Sequence, residues 1–262
     1  MNRSTRRTDW NWRNTGRAFI AVAAGAACLA VVLVIAALLL PSCSARIGAT
    51  VAPDGGLQLS ADVSIPDGLA AKLRNLSSTG STGSQTAFFD ATAIRSALAS
   101  RAGVNDLSVT QTSPTSVRIG LSARNVDALG SSADLQDSKP FYLVRGSGWT
   151  ELHLKLERGN AKSLKALVPG LDPDLLEALS PPALEEDPLS PDDYRTMLRS
   201  VLGEKTMPAF EAASIDLTLT APGTILAFGG GTVTGLTLTS RIPILDALTL
   251  AKPIEIWLRW KT

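Results

Sequence analysis

The spacing of apolar positions changes several times along the chain, and each change predicts an element. Ala18–Leu40 runs 23 residues without a charge, the length a helix needs to cross a hydrocarbon layer of ~30 Å. Beyond Pro41 the period drops to two. Ile47, Ala49 and Val51 alternate, Pro53-Asp54-Gly55-Gly56 supplies turn residues, and Leu57, Leu59, Ala61, Val63 and Ile65 alternate again, which predicts a β-hairpin. Leu69, Leu73 and Leu76 predict a short helix, and Ser77–Ser84, almost all Ser, Thr and Gly, reads as a mobile loop.

Asp90 is placed to cap a helix with Ala93, Ile94, Ala97 and Leu98 on one face and Gly103 beyond its end. Two strand pairs follow. Leu107 and Val109 face Val117, Ile119 and Leu121 around Ser113-Pro114; Phe141–Arg145 faces Trp149–Glu157 around Gly146-Ser147-Gly148. In the last of these strands Leu152, Leu154 and Leu156 take the core side, while Glu151, His153, Lys155 and Glu157 take the wet side, as in an antiparallel sheet.

Residues from about 160 to 213 read as helical. Asn160 is placed to cap a turn bearing Leu164, Leu167 and Val168, and Asp174–Leu179 forms a short helix stopped by Pro181-Pro182. Ser190 as cap, Pro191 at the first helical position and Asp193 closing a capping box open a helix whose Tyr194, Met197, Leu198, Val201 and Leu202 form one stripe, ended by Gly203. Strands then return at Ile215–Leu219, Val233–Leu238 and Ile254–Trp260. A slip in alternation at Gly235 predicts a β-bulge, and Pro243–Leu248 predicts a helical turn before the final strand. No βαβ repeat occurs. The expected fold is α+β: a single antiparallel sheet domain over residues 43–262 with helices packed on one face, preceded by a membrane or signal helix at 18–40 within an N-terminal segment 1–42.

Charge changes the picture at one place. Five Arg and one acid, Asp9, lie before Ser44, so the 25 basic and 24 acidic side chains of the chain leave 20 and 23 in residues 44–262. The Arg cluster ahead of the apolar run predicts a cytoplasmic N-terminus and export of everything after Pro41. Thr5-Arg6-Arg7-Thr8-Asp9 has the arginine pair of a twin-arginine signal, but Asp9 stands where that signal wants an apolar residue, so these arginines are read as orientation charge. Both Cys, Cys28 and Cys43, precede Ser44, so residues 44–262 contain no disulfide and no thiol nucleophile.

Leu40-Pro41-Ser42-Cys43-Ser44 resembles a bacterial lipobox, most closely the permissive spirochaete-like kind. That resemblance implies Cys43 as the site of lipid attachment, with diacylglycerol on its sulfur and acyl chains such as palmitate holding the protein on the cell membrane or outer membrane. The globular part would face the periplasm or the exterior. An uncleaved single-pass anchor ended by Pro41 is the alternative. Ser214–Gly223, Gly229–Gly235 and the terminal Trp260, with the early Cys, strand, Asp-Gly turn and strand, resemble the LppM-type exported lipoprotein domain. The resemblance implies a helix-grip, Bet v1-like sheet curled around a helix, with glycolipid contact.

Candidate chemistry is sparse. The one His, His153, sits mid-strand on the polar parity, and no Gly-x-Ser-x-Gly elbow exists, so a solvent-facing sheet histidine is expected. Glu185-Glu186-Asp187 with Asp192-Asp193 lacks the spacing of a Ca²⁺ loop, and Gly229-Gly230-Gly231 opens no helix and reads as a turn. No metal or other cofactor is expected. Without a basic stripe interleaved with aromatics, nucleic acid is not an expected partner. Parity places Trp260 inward and Trp257 outward with Glu255 and Arg259, the latter packed beneath a covering helix or open to a partner. The expected function is that of a non-enzymatic, membrane-tethered exported lipoprotein with a structural or adaptor role, the membrane being its partner through lipid or helix. A lipid or glycolipid binder with a helix-grip cavity is the second reading, and an enzyme built around His153 the third. Oligomeric state is not specified by any of these features.

Overall fold

A computed structural model describes residues 44–77, 87–101, 103–130, 139–161 and 173–262. The proposed membrane segment 18–40, Cys43, the Ser/Thr/Gly stretch and the turn after Asn160 lie outside these residues. Among the described residues no helix is long and apolar enough to cross a membrane.

Alternation becomes strand at the expected positions except Val233–Leu238, which divides into two strands. β1 (Ser44–Val51) and β2 (Leu57–Ser64) form the first hairpin, closed by Gly55 at φ +87° and by the Asp54 carboxylate, which accepts from the Gly56 N–H at 2.9 Å. The order continues with α1 (Asp67–Ser77), α2 (Ala91–Ala99), β3 (Val104–Ser113), β4 (Ser116–Ala123), α3 (Val126–Gly130), β5 (Phe141–Gly146) and β6 (Trp149–Leu156). After a 3₁₀ turn at Arg158–Asn160 come α4 (Pro173–Leu179), α5 (Pro191–Leu202) and α6 (Met207–Glu211). The chain closes with β7 (Ser214–Thr220), β8 (Ile225–Gly229), β9 (Thr232–Thr234), β10 (Thr237–Pro243), α7 (Ile244–Thr249) and β11 (Ile254–Lys261).

The fold is mixed α+β, but the strands form two sheets where one was expected. Sheet A has seven strands in the order β3-β4-β2-β1-β7-β10-β9, and sheet B has four in the order β5-β6-β11-β8. Sheet A is also not purely antiparallel, because β1 and β7 run parallel with Ser44 opposite Ser214. The division arises at Ala221-Pro222-Gly223. Pro222 has no N–H to donate to a ladder, and a Cβ at Gly223 would lie 2.4 Å from the Lys261 carbonyl oxygen. A side chain is excluded there, so the backbone crosses against the end of β11 and continues as β8 in sheet B. The return crossing uses Gly230 and Gly231, where a Cβ would lie 2.2 Å from the Glu255 oxygen and 2.3 Å from the Thr239 oxygen. The triple glycine is a turn that passes between two backbones.

The slip at Gly235 is likewise a turn and not a bulge. Thr234 pairs with Thr237, leaving Gly235 at φ +61° and Leu236 as the two loop residues of a tight hairpin, and Leu236 stands exposed at its tip.

One face of sheet A carries the core, shared between two coverings. Along β4, Val117 and Ile119 pack with the helices, whereas Leu121 and Ala123 pack toward sheet B. Sheet B contributes Leu152, Ile256, Leu258 and Trp260 against Leu217, Leu219 and Leu238 of sheet A. α2 lies on β3, where Arg95 donates to the Val109 carbonyl at 2.7 Å, and α5 packs against α1, α6 and α7 in the same apolar cluster. At the start of α5 the Ser190 hydroxyl accepts from the Asp193 N–H at 3.2 Å, and Pro191 and Gly203 bound the helix as expected. Only half of the expected box forms: the Asp193 carboxylate accepts from the Ser190 hydroxyl at 2.6 Å. Tyr194, Leu198 and Leu202 are fully buried in a cluster that also holds Leu69, Leu73, Ile94, Leu98, Val109 and Val117, so side chains fill the space on this side of α5.

The Tyr194 hydroxyl has no hydrogen-bond partner among the described residues, and burial pushes its pKa upward. Replacing it should relieve the cost of burying an unbonded hydroxyl. Tyr194→Phe is predicted to raise stability by about 1 kcal/mol in urea unfolding, while Tyr194→Ala should lose about 3–5 kcal/mol. A destabilised Phe variant would mean that the hydroxyl is bonded in solution.

Candidate functional site

Two outward sheet faces gather the polar side chains, and each follows from register. On the outer face of sheet A, the residues between the buried positions of β4, β2, β1, β7 and β10 line up in rows. One row reads Arg118, Asp62, Arg46, Asp216, Arg241, each directly opposite the next across the strands. Signs alternate along this row, the arrangement that cross-strand neighbours favour. Arg118 Nε reaches the Asp62 carboxylate at 2.6 Å and Arg241 Nε lies 3.9 Å from that of Asp216. All four are well exposed, so each pair contributes little to stability. Arg46 is also exposed and has no ion-pair partner among the described residues.

The next row holds no charge. Ser108, Gly120, Ser60, Gly48, Thr218, Thr239 and Thr232 succeed one another across all seven strands. Gly48 and Gly120 make room there: a Cβ on either would sit 2.8 Å from a neighbouring serine hydroxyl oxygen, Ser60 or Ser108. An open hollow of about 520 Å³ results, lined by Gly48, Thr50, Gln58, Ser60, Asp106, Ser108, Gly120 and Ser122 among others. A smaller one of about 160 Å³ lies at the Ser44 end, bordered by Ser44, Arg46, Asp62, Ser64, Thr112 and Ser116.

The outer face of sheet B is built from rings and one buried acid. Tyr142, His153 and Trp257 are direct cross-strand neighbours. Tyr142 and His153 stack at 4.8 Å with planes 5° apart, and Trp257 follows at 6.2 Å and 23°. Trp257 folds over Gly229, where a Cβ would lie 2.3 Å from the indole nitrogen, and Trp149 folds over Gly146 in the same way. His153 bonds Glu151 through Nε2. Arg259 Nε donates to the other Glu151 oxygen at 2.6 Å, and its guanidinium lies 4.3 Å from the centre of the Trp149 ring. Further along, a hydrogen bond from Lys155 to Glu157 and the charge of that carboxylate hold the ammonium above its usual pKa.

Glu151 corrects the sequence reading. It was expected on the wet face, yet it is 6% exposed. His153 and Arg259 bond its two oxygens, and Arg259 is in turn held against the Trp149 ring, so the carboxylate is dry but doubly bonded, the condition under which a charge tolerates burial. Period two places Glu151 on the outer parity; only the register with β11 sets Arg259 opposite it. His153 itself lies on the outer face, as expected, with its ring sandwiched and its side chain 24% exposed. Trp257 is outward and half-buried, and Trp260 is buried at 2% exposure, both as parity indicated. Glu185, Glu186 and Asp187 are exposed, and Asp192 pairs with Arg195 at 2.7 Å. Among the described residues no group of three His, Cys, Asp or Glu is placed to hold a metal ion. Cys43 itself lies outside the described residues, but the next residue, Ser44, already opens β1 in the interior of sheet A.

No family model and no curated protein matches the chain. Among solved structures, the folded domain of the Mycobacterium tuberculosis LppM protein is a distant neighbour. It shows 11% identity and a TM-score of 0.40 over 84% of this chain and 91% of that one. Native yeast LTA4 hydrolase matches at 9% identity and a TM-score of 0.29, over 83% of this chain and 28% of that one.

Because Glu151 is the dry member of its network, removing it should strand Arg259 and His153 without an acceptor. Glu151→Ala is predicted to cost about 1–3 kcal/mol, a fall in melting temperature of roughly 2–4 °C per kcal/mol. An unchanged melting curve would show that water replaces the carboxylate freely.

Proposed function

We propose that this chain is a membrane-tethered, exported bacterial lipoprotein with a non-enzymatic, structural or adaptor role. The observation that carries the reading is a junction: an uncharged 23-residue run behind five arginines ends at Leu40, and Cys43 follows within three residues. Ser44 already belongs to β1, which is hydrogen-bonded on both sides, to β2 and β7. A tether at Cys43 would therefore join the folded domain with no linker, holding it at the bilayer surface. An uncleaved helix ending at Pro41 would have the same effect through a different covalent arrangement.

Binding of an apolar ligand in a helix-grip cavity draws no comparable support, since Tyr194, Leu198 and Leu202 occupy the space beneath α5. Nor is a reaction assigned to His153, whose Nε2 is engaged by Glu151 and whose ring lies between Tyr142 and Trp257.

Intact mass of the membrane-extracted protein tests the reading. A product beginning at Cys43 and carrying acyl chains is the expected result, and Cys43→Ser should then accumulate as an unprocessed precursor. A full-length mass unaffected by Cys43→Ser would replace the lipid with a retained helix. Recovery of the native protein free in the cytosol would overturn export and tethering together.

A further inference from the structure

We propose that the arginine row on the outer face of sheet A seats on the anionic phospholipid headgroups of the bilayer that holds the tether, so that the domain leans on the membrane through this face. The inference rests on the tethered reading above and adds which surface meets the lipid. Its first support is distance along the chain. Arg46 is three residues beyond Cys43, and three residues span at most about 10 Å, so the row stands no farther than that from the attachment point. The headgroup layer on each side of the hydrocarbon is roughly 5–7 Å deep. A modest tilt of sheet A therefore brings the row to the level of the phosphates.

Charge is the second support. The row presents three guanidinium groups and two carboxylates, Asp62 and Asp216, and so carries a net positive charge; the third acid of this face, Asp106, lies opposite Ser122, four residues along β4 from Arg118, and accepts from the Ser122 hydroxyl at 3.0 Å. Arg118 and Arg241 are held toward those acids. Arg46 stands between the acids by register without an ion-pair partner among the described residues, leaving its five donors for an incoming phosphate. The other acid near this end, Asp67, accepts from the Thr115 hydroxyl at 3.0 Å.

Shape is the third. The smaller hollow, about 160 Å³, opens beside Arg46 at the tethered end and is bordered by the hydroxyls of Ser44, Ser64, Thr112 and Ser116. Asp62 also borders this hollow, its carboxylate held by Arg118 at 2.6 Å, so the hydroxyls and the Arg46 guanidinium are the groups that match a phosphodiester, which offers acceptors only. A single net charge attracts an anionic surface weakly in free solution. A tether of three residues confines the row to the surface, and at that effective concentration a weak contact becomes populated.

The test uses the tethered protein as extracted from the membrane, reconstituted in vesicles of phosphatidylcholine alone or with about 30 mol% phosphatidylglycerol at low salt, with the maleimide reaction of the parent protein, whose only cysteines are Cys28 and Cys43, as the baseline. A cysteine introduced by Ser60→Cys on the outer face of sheet A, or by Lys155→Cys on that of sheet B, is timed in its reaction with a water-soluble maleimide. Anionic lipid is expected to slow the Ser60→Cys protein about threefold or more, with no change for Lys155→Cys. Adding Arg46→Gln or Arg46→Glu, or raising salt to about 0.5 M, should abolish the slowing. Circular dichroism of each variant confirms folding, and Arg46→Gln, at an exposed and unpaired side chain, serves if the charge reversal perturbs the sheet. Equal rates in both vesicles, with the protein retained on them through a carbonate wash, would overturn this inference and leave the tether standing. Loss of the protein in that wash would overturn both.

Discussion

Burial of alternate side chains of β7 and β11 against one another is the constraint on which the rest of the molecule depends. Leu217 and Leu219 from one sheet meet Ile256, Leu258 and Trp260 from the other, and all five are nearly or wholly removed from water. At about 1.5–3 kcal/mol for each large apolar side chain, this interface outweighs any polar interaction on the surface. It also sets parity. Once these residues face inward, period two sends Asp216, Thr218, Trp257 and Arg259 outward, and both outer faces inherit their chemistry from that choice.

The two outer faces differ because their neighbours differ. On sheet A the outward positions of β4, β2, β1, β7 and β10 are small or charged, so they form flat rows of hydroxyls and alternating charges around the space left by Gly48 and Gly120. On sheet B they are large and aromatic, so they cover one another. Trp149 and Trp257 lie down over glycines, and Glu151 becomes dry beneath Arg259. One face stays open to whatever the tether brings near it. The other is closed over its own carboxylate.

Much of this was legible residue by residue. Asp54-Gly55, Ser190-Pro191, Gly203 and Gly148 did what their backbone preferences dictate. Gly235 shows the limit of such reading. A slip in alternation has the same signature whether a strand bulges or turns back, and only the pairing of Thr234 with Thr237 distinguishes them. Glu151 shows a second limit. Its polar parity was correct, but exposure also depends on what lies across the ladder, and Arg259 is more than a hundred residues away.

From the sequence alone came most of the elements, though not β8 or α3, the side of most strands that faces the core, and the charge-free segment with its flanking arginines. These depend on spacing within one element or on composition, which neighbouring residues carry by themselves. Tertiary structure decided that the strands divide between two sheets, that β1 and β7 run parallel, and that Arg118, Asp62, Arg46, Asp216 and Arg241 share one row. Alternation specifies which face a strand buries but not which strand lies beside it. Partners are selected by the burial of the whole chain, and the backbone crosses between sheets where Gly223, Gly230 and Gly231 leave no side chain in the way.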